Sequence, residues 1–355
     1  MKKNSIEMIG LSAVIVAAVY APVLKSNAYV TVALVLLLLT LPHSLNKMKV
    51  WFSLFLIPSF LFCLIFADSS VFLSVANIFL LSNVMLCLKQ EQIEKGFWLC
   101  LSISLSFVFL AILSCIVDSS AIVNFSFSER ILTWKVLGGD VNVNVIGLYS
   151  VLIVALYVIC INFETNNNIN RIVLSLICIP IAIVGFILSG SRSAALVLLF
   201  FILPLLVRNV KVMVLVLSIL LGLYVTFGQD LLALRAFDFS GGDSGRLQYY
   251  KDAYNLWSDK GFVPLSDVML IDNGIILDNL FLGSLFRYGI IFFIGVLIFC
   301  LYISYRLITC LNKFYLPVFS LAFSSVVLGA VESSFIGSFF LLLVVLMCMA
   351  LQERT

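Results

Sequence analysis

The residues Leu188-Ser189-Gly190-Ser191-Arg192-Ser193-Ala194-Ala195 form a tight polar link between two strongly apolar stretches. A charge this close to a bilayer core is expensive, about 2.5–3.5 kcal/mol for an arginine at a span centre by insertion scales and less near an end. Such an arginine normally has a partner. Serine and glycine let the backbone turn sharply and supply donors, and the Ser193 end begins a helix whose first amides favour an anion. Arg192, Ser191 and Ser193 could together hold a phosphate or diphosphate at a membrane face. The alternative is an arginine that marks the interface by extending its charge to water.

Two further groups of residues could do chemistry. In Ser244-Gly245-Arg246 followed by Leu247-Gln248-Tyr249-Tyr250-Lys251-Asp252-Ala253-Tyr254-Asn255-Leu256-Trp257, the residues Leu247, Tyr250, Tyr254 and Trp257 recur at helical spacing. They predict a helix with an aromatic stripe, capped by Asp243 or Ser244, with Arg246 in its first turn. Aromatic rings stack on sugars and an arginine pairs with phosphate; the same stripe would also suit a helix resting on lipid or on the bundle. In Asp278-Asn279-Leu280-Phe281-Leu282-Gly283-Ser284-Leu285-Phe286-Arg287, Asp278 could act as a general base toward a sugar hydroxyl, or cap the helix that follows.

These residues must be positioned by membrane helices. Of 355 residues, 63% are hydrophobic and 11% charged, with mean hydropathy +1.19, whereas soluble chains are roughly 45–50% apolar and about 25% charged. Apolar stretches at 5–23, 27–42, 50–67, 70–88, 97–117, 142–162, 172–188, 193–207, 210–228, 288–305, 314–331 and 334–351 predict an all-α polytopic fold, a single transmembrane domain over 1–355 with about twelve spans of about 20 residues each. The first stretch follows Met1-Lys2-Lys3 and reads as a retained signal-anchor. Two large outer loops are expected, at about 118–141 and 229–287, and loops of the second length tend to be functional or disordered.

Orientation follows from the bias of Lys and Arg toward cytoplasmic loops. With both termini inside, the basic residues Lys2, Lys3, Lys47, Lys49, Lys89, Lys95, Arg171, Arg208, Lys211, Arg306, Lys313 and Arg354 face the cytoplasm. The short outer loops then hold only Lys25 and Arg192, while Arg130, Arg246 and Arg287 fall in the two long ones. Glu7, near the start of the first span, is expected at the interface.

Several functions are excluded. A net charge of +3 without a basic stripe gives no nucleic-acid surface. There is no Walker A or GxGxxG sequence for a nucleotide-driven pump. The nine cysteines show no close CxxC pair and read as packing residues, and the one histidine, His43, lies in a predicted cytoplasmic loop, so no metal site is suggested.

The SGSRSA turn at 189–194, the SGR followed by an aromatic amphipathic helix at 244–257, and the DNLFLGSLFRYGII segment at 278–291, in this order and with a late, large outer loop, resemble the O-antigen polymerase and ligase superfamily of bacterial envelope enzymes, most closely the Wzy-type polysaccharide polymerases. The resemblance covers roughly 140–330. It implies the fold of C-type membrane glycosyltransferases in the bacterial cytoplasmic membrane and a substrate of undecaprenyl-diphosphate-linked oligosaccharide repeats, used without metal, cofactor or nucleotide sugar. A chain-length regulator protein would be a partner beside the membrane lipids. Arg192 and Arg246 would stabilise the diphosphate leaving group, Asp278 would be the acceptor base, and Arg287 and Arg130 would position substrate together with Ser191, Ser193, Tyr250, Tyr254 and Asn279.

The chain departs from the pattern of that superfamily in two places. Superfamily ligases usually carry a histidine before the asparagine of the third segment, where this chain has Asp278, which favours polymerase. The Arg-x10-Gly repeat of some polymerases is missing, because the residues eleven after Arg130 and Arg235 are Val141 and Arg246. An O-antigen ligase and a twelve-span flippase or transporter remain the competing readings. Transporters usually place polar residues at mid-membrane, whereas here the charges gather on one face.

Overall fold

The computed structural model describes residues 2–24, 28–40, 69–117, 134–163, 168–207, 218, 246–275, 277, 279–309, 315–331 and 339–352. The expected span at 50–67 lies outside them, as does that at 210–228 apart from residue 218. Within lipid, backbone amides and carbonyls must pair inside the chain, which restricts a lone apolar segment to a helix. Among the described residues the helices are α1 (Lys2–Leu24), α2 (Ala28–Thr40), α3 (Ser69–Cys87), α4 (Gln90–Val117), α5 (Val143–Phe163), α6 (Asn168–Ser189), α7 (Arg192–Val207), α8 (Arg246–Asp259), α9 (Asp267–Asp272), α10 (Leu280–Thr309), α11 (Leu316–Val331) and α12 (Phe339–Gln352). Five segments, Ile6–Leu24, Gln90–Val117, Val143–Phe163, Ile172–Ser189 and Phe281–Thr309, are long and apolar enough to cross a membrane, and Ala28–Leu39, Leu73–Met85, Arg192–Val207 and Leu316–Leu328 are shorter apolar helices. The chain is a helical, multi-pass membrane protein.

α5 is the central helix, packed by α4, α6, α7 and α11 and buried along most of its length. The ends of the bundle can be assigned from contacts. Gln92 at the start of α4 hydrogen-bonds Glu7 near the start of α1, so these two helices run parallel. At their other ends sits an antiparallel hairpin, β1 (Trp134–Val136) and β2 (Gly139–Val141), with Trp134 paired to Val141. Ser114 of α4 donates to the Lys135 carbonyl at 2.7 Å, and β2 packs on α1. Trp134 and Val136 are fully buried while Lys135 between them is exposed, the alternation expected of a two-faced strand. The expected outer loop at 118–141 therefore ends in ordered structure.

α5 leaves this hairpin end, and its Tyr149 hydroxyl donates to the Val19 carbonyl of α1 at 3.1 Å. Phe340 of α12 packs on Tyr149 with ring centroids 5.0 Å apart, whereas Met347 lies against Gly96 of α4, whose second neighbour is Leu11. α12 thus starts at the hairpin end. Its short link to α11 makes the two antiparallel neighbours, and the equally short link from α10 does the same, with the Arg306 guanidinium of α10 5.8 Å from the Phe319 ring of α11. α10 consequently begins at the hairpin end.

α10 differs from the expected boundary. The second loop was expected to run to residue 287, but the helix starts at Leu280 and is broken at Gly289 (φ 85°, ψ 172°), a backbone region open to glycine. Leu282, Leu285 and Phe286, before the break, belong to a second small core with Ala253, Trp257 and Leu265. This satellite is separate from the main bundle core.

Candidate functional site at the hairpin end

The polar link at 189–193 is a helix-to-helix turn held inside the bundle. Gly190, with φ 53°, takes the left-handed position that ends α6, and its amide donates to the Phe186 and Ile187 carbonyls at 3.2 and 3.1 Å. Ser191 then caps α7: its hydroxyl accepts from the Ala194 amide at 3.3 Å and its carbonyl from Ala195 at 3.2 Å. The Ser191 and Ser193 hydroxyls are 3.0 Å apart in a hydrogen bond. Ser189, Ser191 and Ser193 are all buried.

Gly147 of α5 is what lets the turn sit so deep. A Cβ on it would lie 2.5 Å from Ser191 Cβ and 2.7 Å from Ser189 Oγ, closer than real Cβ contacts. Small-residue contacts of this kind bring membrane helices together. The two serines expected to contact substrate are therefore occupied in building the turn, and Arg192, the first residue of α7, is its half-buried element. Its Nε is shielded from solvent.

The second segment forms α8 as expected, opening at Arg246. The side chain of Arg246 lies outside the described residues, as do Asp243 and Ser244. The aromatic stripe divides. Tyr250 and Trp257 pack on the satellite core together with Tyr249 and Leu256, and Trp257 makes edge contacts with Phe262 at 4.9 Å and Phe286 at 5.5 Å. Tyr254 is exposed and is the ring of this stripe that a sugar could reach.

In the third segment Asp278 lies outside the described residues. The capping role considered for it is filled by Asn279, whose Oδ1 accepts from the Phe281 and Leu282 amides at 2.8 and 3.1 Å. Arg287 is half-buried with a shielded Nε, in the last turn before the Gly289 break. The Leu265 amide donates to the Phe286 carbonyl at 2.8 Å, which ties the α8–α9 corner to the residue before Arg287. Arg130 lies outside the described residues.

Three features escaped the sequence reading. Glu7 is buried against the protein, with a hydrogen bond from Gln92, 85 residues away. The hairpin had a local signal, since Trp134-Lys135-Val136 alternates and Leu137-Gly138 can turn. The capping role of Asn279 was signalled by its place just before the apolar run. Among the described residues, Cys100, Cys115, Cys160, Cys178, Cys300 and Cys348 are buried thiols and Cys87 a half-buried one, none in a disulfide; Cys63 and Cys310 lie outside them. No family model matches the sequence, and no curated protein matches it significantly.

Proposed function

We propose that the chain is a polysaccharide polymerase of about twelve spans with a C-type glycosyltransferase-like fold, joining undecaprenyl-diphosphate-linked oligosaccharide repeats at the outer face of the bacterial cytoplasmic membrane. The observation that carries this reading is the buried serine turn that holds Arg192 at the hairpin end of the bundle, the end at which α10 also begins with Arg287 in its first turns. Cationic donors at the level where a lipid-linked diphosphate would lie suit the chemistry. The charge bias in the loops makes this end the outer one and both termini cytoplasmic.

In this reaction the acceptor hydroxyl attacks the anomeric carbon of the donor sugar. The bond from that carbon to the diphosphate oxygen breaks, and its electron pair leaves with undecaprenyl diphosphate. Asp278 takes the hydroxyl proton. Arg192 and Arg246 stabilise the charge that develops on the leaving group, an effect that for a single well-placed donor is about 10²–10³ in rate. Tyr254 offers a face to the sugar, Arg287 and Arg130 position the substrate, and Ser191, Ser193, Tyr250 and Asn279 hold the elements that carry these groups.

The test is reconstitution of the purified protein with lipid-linked repeat units. Growth in chain length with no other protein present is expected. Transfer only to a different acceptor would make it a ligase, and movement of the unit between leaflets without a new bond would make it a flippase.

A further inference from the structure

Two described residues other than glycine adopt left-handed backbone, Leu137 (φ 52°) and Phe262 (φ 63°). That conformation crowds Cβ against the following carbonyl, and asparagine or glycine normally relieves it. Here both residues are large and apolar, and their side chains stand 74% and 54% exposed. Each also adjoins a left-handed glycine, Gly138 and Gly261, so each is the tip of a tight turn. Strain and exposed apolar surface at one residue are two local costs, and strained backbone persists where the surroundings over-determine it.

The depth of both tips is set by what they are fastened to. The hairpin hangs from Ser114 of α4 through the Lys135 carbonyl, with Gly139 against Val23 of α1. It is thus level with the last turns of two membrane-length helices, where Ile116 and Val117 are exposed as well. Phe262 is held by its amide, which donates to the Trp257 carbonyl at 2.9 Å, and by its ring against Trp257. Beyond it α9 exposes Val268 and Ile271, three residues apart and hence on one face. The Leu265–Phe286 hydrogen bond fixes this corner three residues before Gly289, after which Ile290 and Ile294 expose the apolar surface of the α10 span.

We propose that Leu137 and the corner formed by Phe262, Val268 and Ile271 are inserted in the lipid leaflet at the hairpin end, the first anchoring the hairpin and the second the satellite core on the bilayer. Each tip is fastened beside a span that itself exposes apolar residues, and a rigid, already strained turn loses little freedom on insertion. Lys135 and Lys260 lie two residues before the tips, but Asp140 pairs in register with Lys135 and Asp259 precedes Lys260. Insertion therefore rests on apolar burial and not on anionic headgroups.

The test uses the full chain with the fluorescent amino acid Anap in place of Leu137, Phe262 or Ile271, and of Asn255 as an exposed control on α8. Each protein is reconstituted in phosphatidylcholine vesicles, with and without brominated acyl chains, and iodide is loaded on both sides. At the three tip positions the brominated chains are expected to remove most of the emission while iodide removes little; at Asn255 the order reverses. Iodide quenching at the tips equal to that at Asn255 would place them in water and overturn the proposal. Protection from both quenchers would overturn it too, by placing the tips in a protein contact such as a second copy of the chain.

Discussion

Gln92 Nε2 donates to the Glu7 carboxylate over 2.6 Å, while Gln92 Oε1 accepts from the Lys89 amide at 2.7 Å. One amide side chain thus closes the start of α4 and fastens it to α1. Glu7 is only 4% exposed, and a polar group so buried costs free energy unless it is hydrogen-bonded. Glu7→Ala removes the acceptor and leaves the Gln92 amide without that bond, so a loss of about 1–3 kcal/mol is expected. Glu7→Gln keeps an acceptor and should lose less. Thermal unfolding of the two variants in detergent checks this, and equal losses would contradict it.

Gly147→Ala should be more damaging than its size suggests. The added methyl meets Ser191 Cβ and Ser189 Oγ, so either α5 moves or the turn opens, at about 1–3 kcal/mol for an overpacked site. Polymer formation should fall along with the unfolding midpoint. A variant as stable and active as the parent would mean that the turn is not held by α5.

Ser191→Ala removes the hydroxyl that accepts from Ala194, a cap worth about 1 kcal/mol. Because Arg192 is the next residue, turnover should fall by more than this stability loss accounts for, read as kcat at a temperature where the variant is fully folded. Unchanged kcat would separate the cap from the chemistry.

Arg192→Ala should lower polymer formation by about 10²–10³, leaving single repeats on a polysaccharide gel from protein that is still folded by its unfolding midpoint. Arg192→Lys should recover part of the activity, since a lysine keeps the charge but loses the planar fork. Normal ladders from Arg192→Ala would remove the arginine from the reaction.

Two glycines in α10 should respond in opposite directions. A Cβ at Gly283, in the first turn, meets nothing within 4 Å, and replacing a helical glycine with alanine stabilises by up to about 0.5–1 kcal/mol. Gly289 has φ 85° and ψ 172°, which no L-residue adopts comfortably, and alanine there should cost about 1–3 kcal/mol. Unfolding midpoints that rise for Gly283→Ala and fall for Gly289→Ala would confirm that the break belongs to the fold.

The amino-acid sequence by itself determined that this is a multi-pass helical membrane protein, because transfer of apolar side chains to lipid is a nearly additive sum over a window of residues. It also determined the helix at 246–257 and the tight turn at 189–194, where Gly190 and Ser191 carry a local conformational signal. Only the tertiary structure decided how the polar groups of that turn are used. Ser191 and Ser193 have the residue types of a phosphate site, yet their hydroxyls bond each other inside the bundle, where the turn packs on Gly147 of another helix. Trp257 and Tyr254 belong to one stripe, yet Phe286 covers the first and nothing described covers the second. Glu7 is a lone acid in its apolar stretch, yet Gln92 of another helix supplies its partner. In each case the deciding neighbour is remote in sequence, and burial is a property of the pair of surfaces that meet, which no window along the chain contains.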